Sequence, residues 1–172
     1  TSIEDYAFCG CERLTSITLP SNLTRISDYA FQNCISLVTI HIPNSVTSIG
    51  GSVFDGCRHL KYVHLPDNMT SIEAYLFDGC TSLTSVHIPN GVTSIGDNAF
   101  NNCTSLISVT IPNNVESIGN DAFCGCINLT SVHLPNRMNS IGTFAFYCCK
   151  KLTSVTIPSS VTSIGDGTFR AC

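Results

Sequence analysis

The chain has 172 residues, of which 43% are hydrophobic and only 12% are charged, a composition typical of a packed chain and not of a disordered one. Its formal net charge is −4 with only eight Lys plus Arg, which removes the usual electrostatic basis for binding nucleic acid or an anionic membrane surface. No apolar stretch approaches the ~18 residues that a membrane span needs, so membrane insertion is not expected.

A period of 23 residues runs through the chain without an insertion or a deletion. Four residue types form rows at this spacing: Ile3, Ile26, Ile49, Ile72, Ile95, Ile118, Ile141 and Ile164; Phe8, Phe31, Phe54, Phe77, Phe100, Phe123, Phe146 and Phe169; Cys11, Cys34, Cys57, Cys80, Cys103, Cys126, Cys149 and Cys172; and all seven Pro. Each unit has about eight residues of core type, too few for a closed core. The units must therefore stack, which predicts a solenoid with one continuous core.

Within each unit, the segment L-x-x-[VI]-x-[IL]-P predicts a β-strand. In Leu83 to Pro89, Val86 and Ile88 are two residues apart and face the core, while Ser85 and His87 face the other side. Successive strands should pair in parallel about 4.8 Å apart. Proline at the strand end marks the exit turn, because it fixes φ where no ladder hydrogen bond is needed.

The rest of the unit is less regular. The segment from Val92 to Ile95 is compatible with a second short strand, but its pattern does not decide this. The segment from Asp97 to Cys103 combines turn formers with an Ala-Phe pair and is too short for a full helix. It predicts a single 3₁₀ or α turn on the side of the coil away from the strand.

The strand motif followed by I-G-x-x-A-F-x-x-C, as in Ile95 to Cys103, resembles the BspA-like leucine-rich repeat. The resemblance covers residues 1–172 as a single array of seven full repeats and a partial one. It implies a right-handed superhelical solenoid with a concave parallel β-sheet and short turns on the other side. It also implies a cell-surface or secreted protein of bacteria or protists that binds host matrix proteins, other cells or other microbes.

Neither end of the chain has the polar cap that a solenoid needs to be soluble. Thr1 to Leu19 is an ordinary part-repeat, and Cys172 ends the chain in mid-unit. Two interpretations remain open at this point. The chain is a fragment of a longer array, or its ends stack on other copies and form dimers or filaments.

The cysteine row has the period of the core, so we expect buried free thiols that pack as small hydrophobic groups. Equivalent positions in stacked coils point the same way, which disfavours the disulfide dihedral angle. A linear row also lacks the four convergent ligands of a closed zinc site. Cys124 and Cys148, two of the three Cys outside the row, lie in adjacent repeats, and a disulfide between them remains an open alternative.

Histidines recur at the outward position between the two core residues of the strand. His41, His64, His87 and His133 occupy it, and Thr stands there in the other units. Three consecutive imidazoles, those of His41, His64 and His87, should form a ladder with neighbours about 4.8 Å apart. Such rings could share a metal or titrate together, but a plain polar strand surface explains the row equally. No carboxylate shares the row to orient an imidazole, and neither a metal nor a cofactor is assigned to the chain.

The neighbouring outward rows are mostly Ser and Thr, and the exceptions cluster in repeats two to four. The candidate binding patch on the concave face consists of Val38, His41, Lys61, Tyr62, His64 and His87. Amphipathic aromatic side chains contribute much of the contact energy at interfaces, which favours this mixed aromatic and basic cluster as a binding site. Drift in a weakly constrained repeat would produce the same cluster without a function.

No phosphate-binding glycine loop, nucleophile elbow or H-E-x-x-H motif occurs, so we expect no enzyme activity. The function we predict is a non-catalytic binding or adhesion module that holds a protein or glycan partner on its concave face. The alternative is a structural spacer or self-associating array within a longer protein. The resemblance places the protein on the cell surface or outside the cell, whereas free cysteines would also be compatible with the cytoplasm.

Overall fold

The computed structural model describes residues 1–172 as a parallel β-solenoid in which each 23-residue repeat forms one coil. Twelve short strands and no helix are present. In chain order they are β1 (Ser2–Ile3), β2 (Arg25–Ile26), β3 (Thr39–His41), β4 (Ser48–Ile49), β5 (Tyr62–His64), β6 (Ser71–Ile72), β7 (Ser94–Ile95), β8 (Ser108–Thr110), β9 (Ser117–Ile118), β10 (Ser131–His133), β11 (Ser140–Ile141) and β12 (Ser163–Ile164).

The longer strands come from the predicted strand segments and carry the concave face. β3 pairs with β5, and β8 pairs with β10. Both pairs are parallel, and each residue lies opposite the equivalent residue of the next repeat. Isolated bridges extend this ladder from Ser16 to Thr39 and from His87 to Thr110. Alternation holds along each strand, since Ile40 is buried between exposed Thr39 and His41. The strand and its two faces are therefore as predicted in the four repeats that contain β3, β5, β8 and β10. The segment Leu83 to Pro89 forms only an isolated bridge at His87, and residues 154–156 form no strand.

A second set of strands lies after the proline turn, at the position that the sequence left undecided. β7 pairs with β6 on one side and with β9 on the other, again with one repeat of offset. Two sheets are built in this way, β1-β2-β4 and β6-β7-β9-β11-β12. Each strand buries its Ile in the core over most of the array, which explains why the Ile row is constant.

The segment predicted as one 3₁₀ or α turn is a run of separate hydrogen-bonded turns. The expected i to i+3 bonds are present, such as Asn101 N–H to Asn98 O at 3.1 Å and Cys103 N–H to Phe100 O at 3.2 Å. Asn98 and Asn102, however, are left-handed, with φ of 56° and 55°, and a left-handed residue cannot continue a right-handed helix. The N–H groups of Asn98, Phe100 and Asn102 instead donate to the next coil at 2.7 to 2.8 Å.

Aromatic stacking forms the centre of the core. The Phe row is one continuous stack, with ring centroids of neighbouring coils 5.0 to 5.8 Å apart and planes within 20° of parallel. Phe31, Phe54, Phe77, Phe100, Phe123 and Phe146 are fully buried. Such offset stacks add stabilisation beyond that of the buried area, so the array is held together by the same contact repeated in every coil.

The cysteine row has a second role besides filling space. The thiol of Cys103 donates to the carbonyl oxygen of Phe77 in the preceding coil at 3.2 Å, and the equivalent bond forms from Cys34 to Cys172 at 3.1 to 3.3 Å. All 11 cysteines are free thiols in the structure, Cys124 and Cys148 among them. Burial raises the pKa of the Cys103 thiol well above its ordinary value, so the buried thiols of this row are kept protonated and unreactive.

One site interrupts the stacking of the second sheet. In other coils, two backbone N–H groups of this segment donate to the preceding coil. Thr93 N–H donates to Thr70 O at 2.9 Å, and Gly96 N–H donates to Ile72 O at 2.8 Å. The equivalent residues one repeat earlier are Thr70 and Glu73. Neither Thr70 nor Glu73 makes this bond, and β4 and β6 do not pair with each other. A cleft of about 200 Å³ opens there, lined by residues that include Ile49, Thr70 and Glu73.

Candidate functional site: the concave face

The candidate patch is centred on β3 and β5, where two strands lie side by side in full register. Thr39 is opposite Tyr62, and His41 is opposite His64. Between them, Ile40 and Val63 point inward and pack on the core. The patch therefore stands on a paired, anchored backbone, which fixes the direction of each outward side chain.

The outward side chains of this patch are exposed. Tyr62 is 60% exposed and Val38 is 38% exposed, an unusual degree of exposure for large hydrophobic side chains. His41, Lys61 and His64 are also exposed and surround these two groups. The structure thus brings five of the six predicted residues together as one mixed apolar, aromatic and basic surface.

The predicted histidine ladder is present as a pair. The rings of His41 and His64 have centroids 4.3 Å apart and planes tilted by 40°, close to the spacing expected from strand pairing. His87 is exposed, but its backbone bridges to Thr110 in the following coil. No backbone hydrogen bond joins residues 85–87 to β5, so His87 belongs to the next section of the sheet.

One residue was missed when the patch was predicted from sequence. Ile107 lies on the concave side directly before β8 and is 53% exposed. It occupies the same repeat position as Val38 and Lys61, where most repeats have Thr. An apolar residue in this mostly Thr row was therefore visible in the sequence, but Ile107 lies outside repeats two to four, where the other exceptions cluster. It extends the apolar part of the concave face toward the C-terminal coils.

The concave patch is an open surface without an enclosed cavity. The cavity with the greatest polar lining, about 500 Å³ in volume, lies over the second sheet and is lined by residues that include Ser117, Gly119 and Asn120. No group of three or more His, Cys, Asp or Glu side chains is arranged to hold a metal ion. An open, anchored surface of this type suits contact with a macromolecule better than enclosure of a small ligand.

The turn side of the coils carries a different polar row. Its members, one per repeat, are Cys9, Gln32, Asp55, Asp78, Asn101, Cys124, Tyr147 and Arg170. The Gln32 amide donates to Asp55 Oδ2 at 2.8 Å. Burial of the Asp78 carboxyl, together with the neighbouring charge of Asp55, raises its pKa to about 6, although a hydrogen bond from Asn101 partly offsets this. Asp78 is therefore a pH-sensitive group on the side of the coil away from the concave patch.

Comparisons with known proteins agree with this geometry. The family model for the BspA type leucine rich repeat region matches in six copies over residues 1–112 and 93–172. A crystal structure of the leucine-rich repeat protein of T. pallidum is 34% identical, with a TM-score of 0.89 over 99% of this chain and 80% of that one. A search of curated proteins finds no significant match.

Two further solved structures are similar over most of this chain. A leucine-rich cell surface protein from Faecalibacterium prausnitzii is 32% identical, with a TM-score of 0.68 over 99% of this chain and 55% of that one. A leucine-rich repeat protein from Eubacterium ventriosum is 28% identical, with a TM-score of 0.55 over 91% and 36%. The chain thus spans about half or less of these two longer proteins.

Fold and repeat define a leucine-rich-repeat solenoid, a scaffold class commonly used for protein binding and typically without catalytic activity. Within that class, the chain belongs to the BspA-type leucine-rich repeat family. The sequence-based family assignment and fold class are therefore confirmed. The structure contains no helix with the length and hydrophobicity needed to cross a bilayer.

Proposed function

We propose that this chain is a non-catalytic binding module that holds a protein or glycan partner on the concave face. The observation that carries the proposal is the exposed cluster around Tyr62, which interrupts an otherwise Ser- and Thr-rich surface. An exposed tyrosine offers a large, rigid contact area with a polar end, at a low cost in conformational entropy. Val38 and Lys61 beside it add apolar contact and a positive charge.

The open shape of the patch supports a partner of macromolecular size. Paired strands present side chains at fixed spacing along the array, so a partner can contact several coils at once. Tyr62 and the histidines can stack on an aromatic group or a sugar ring, and Lys61 can pair with an acidic group on the partner. These are the features expected of the centre of an interface.

The partner would be met outside the cell. This part of the proposal is supported by similarity to the Faecalibacterium protein, which is described as a cell surface protein. Labelling of intact source cells with a membrane-impermeant amine reagent should modify the chain, and labelling only after lysis would contradict surface exposure. A structural spacer or self-associating array is the competing function, and it predicts concentration-dependent assembly that is insensitive to changes in the patch.

The test compares two double variants at equivalent repeat positions. Tyr62→Ala with His64→Ala removes the patch, whereas Ser131→Ala with His133→Ala changes the same two rows in β10. All four positions are exposed, so both variants should keep the fold and the melting temperature. Binding is measured on immobilised protein against extracellular matrix proteins and a glycan array.

The patch variant should lose about 10-fold or more in affinity for the captured ligand, since truncation of an interface hot spot, a class enriched in Tyr, costs about 2 kcal/mol or more. The β10 variant should bind like the wild type. Equal loss in both variants, loss in neither, or the absence of any ligand for the wild-type chain would contradict the proposal.

A further inference from the structure

The two adjacent imidazoles of His41 and His64 form a geometry that the binding proposal does not use. They are directly opposite each other in the β3–β5 ladder, and their ring centroids are 4.3 Å apart. Both rings are exposed, so their nitrogens are accessible to solvent ions. Their strands are anchored below by Ile40 and Val63, which limits the freedom of the two Cα positions.

The separation of the rings is compatible with right-angle coordination of a shared metal when one nitrogen of each ring turns toward it. An imidazole nitrogen lies about 1.1 Å from the ring centre, and a metal–nitrogen bond is about 2.0 Å long. Two imidazoles at 90° around one metal therefore have centroids about 4.4 Å apart, whereas the tetrahedral angle separates them by about 5.1 Å. The observed 4.3 Å is close to the right-angle value.

Right-angle nitrogen coordination is characteristic of square-planar and tetragonal ions. Cu²⁺ and Ni²⁺ prefer these geometries with N and O ligands, whereas Zn²⁺ in protein sites is mostly tetrahedral. We propose that His41 and His64 bind Ni²⁺ or Cu²⁺ as a pair of cis nitrogen ligands. The remaining coordination positions face solvent on the concave side and are filled by water. The proposal does not depend on the partner proposed above.

The rest of the chain supplies a matched control. His133 occupies the same repeat position as His41 and His64, but its partner in the ladder is Thr110. It is exposed on a paired strand of the same length. A single imidazole cannot chelate, so His133 tests whether the pairing, and not merely an exposed histidine on this face, produces metal binding.

The experiment titrates the chain with Ni²⁺ by calorimetry after its accessible thiols have been blocked with N-ethylmaleimide. The wild-type chain should bind one Ni²⁺ through this pair. Removal of a residue that only supports a metal ligand already costs about 10-fold or more in affinity. His41→Ala and His64→Ala should each therefore weaken binding by at least ~10-fold, whereas His133→Ala should change it by less than about twofold.

Cu²⁺ paramagnetic resonance gives a second readout on the same variants. The wild-type and His133→Ala spectra should contain couplings from two imidazole nitrogens, and His41→Ala and His64→Ala should each lose at least one of them. The proposal is overturned if the wild-type chain binds neither Ni²⁺ nor Cu²⁺ at ~1 mM. It is also overturned if His133→Ala weakens binding as much as His64→Ala, or if His41→Ala binds like the wild type.

Discussion

The cysteine of each repeat after the first donates a thiol hydrogen bond to the Phe carbonyl oxygen of the preceding coil, which gives a reason for cysteine at this position. In each coil the Phe carbonyl already accepts a hydrogen bond from the Cys N–H of its own turn, as Phe77 does from Cys80 at 3.1 Å. The thiol of the next coil, Cys103, donates to the same oxygen at 3.2 Å. Its period predicted a buried thiol, but the hydrogen bond could not be predicted, because its acceptor is 26 residues away in a neighbouring coil.

Asp78 is the residue whose ionisation opposes folding. Its pKa is raised to about 6 in the folded chain from an ordinary value of 3.8, so the protonated carboxyl is the form that the fold prefers. The associated stability is fully present below about pH 4 and is lost as the pH rises through about 6. At neutral pH the ionised carboxylate is partly buried beside Asp55.

Asp78→Asn should therefore raise the free energy of unfolding at pH 7 by about 1 kcal/mol, a value reduced for the solvent that screens a half-buried group. At pH 4 the variant and the wild type should be nearly equal. Urea denaturation at both pH values measures the difference, and Asp166→Asn, which changes an exposed carboxylate, is the control. A stabilisation that is the same at pH 4 and pH 7 would contradict this origin.

At the scale of the elements, the residue after each Ile of the 23-residue row, Gly in five of eight repeats, decides whether neighbouring coils can pair. A Cβ built on Gly96 would lie 2.7 Å from Ala74 N, and one on Gly119 would lie 2.6 Å from Asp97 N. Glu73 occupies the equivalent position at the interrupted ladder. Ser27, also in this row, still bonds to Ile3 O at 2.9 Å, so the interruption belongs to the larger Glu side chain.

Glu73→Gly should restore the two missing bonds, from the N–H groups of residues 70 and 73 to Thr47 O and Ile49 O. Two hydrogen bonds contribute about 0.5–1.5 kcal/mol each, against about 0.5–1 kcal/mol for the added backbone entropy of Gly. The net gain in the free energy of unfolding should be about 1 kcal/mol. Hydrogen exchange at these two amides should slow, and the urea midpoint should rise.

The reciprocal change provides the control. Gly96→Glu places the larger side chain against Ala74 N, so it should open the β6–β7 ladder and lower stability. If the amides of residues 70 and 73 exchange as quickly in Glu73→Gly as in the wild type, the side chain of Glu73 is not the cause of the interruption.

The elements differ in how far the sequence determines them. The β3 and β5 strands were predictable because alternation and the 23-residue period agree on which side chains face inward. The turn segment was not, although six of the eight residues in one left-handed row tolerate that backbone, namely Gly10, Asn33, Gly56, Gly79, Asn102 and Gly125. Cys148 and Ala171 complete the row and give no such signal. The other left-handed row includes Tyr29 and Phe144, whose types give no such signal.

Along the whole molecule, the core packing is the same in every coil, whereas the strand pairing on the concave face varies from coil to coil. The Phe stack runs through all eight repeats, whereas the concave ladder has two gaps, one after β10 and one between β5 and residues 85–87. The gap after β5 separates His87 from the rest of the candidate patch. The sequence could place these residues on one face but could not predict the gaps, because they depend on how closely adjacent coils approach.

A hydrogen-exchange footprint of the chain with its captured protein or glycan ligand would show where the partner binds. Peptides that contain β3 and β5 should gain protection, with little change in β10 or in the turn segment around Asp78. Protection confined to the turn side, or equal in β5 and β10, would contradict a binding site centred on Tyr62.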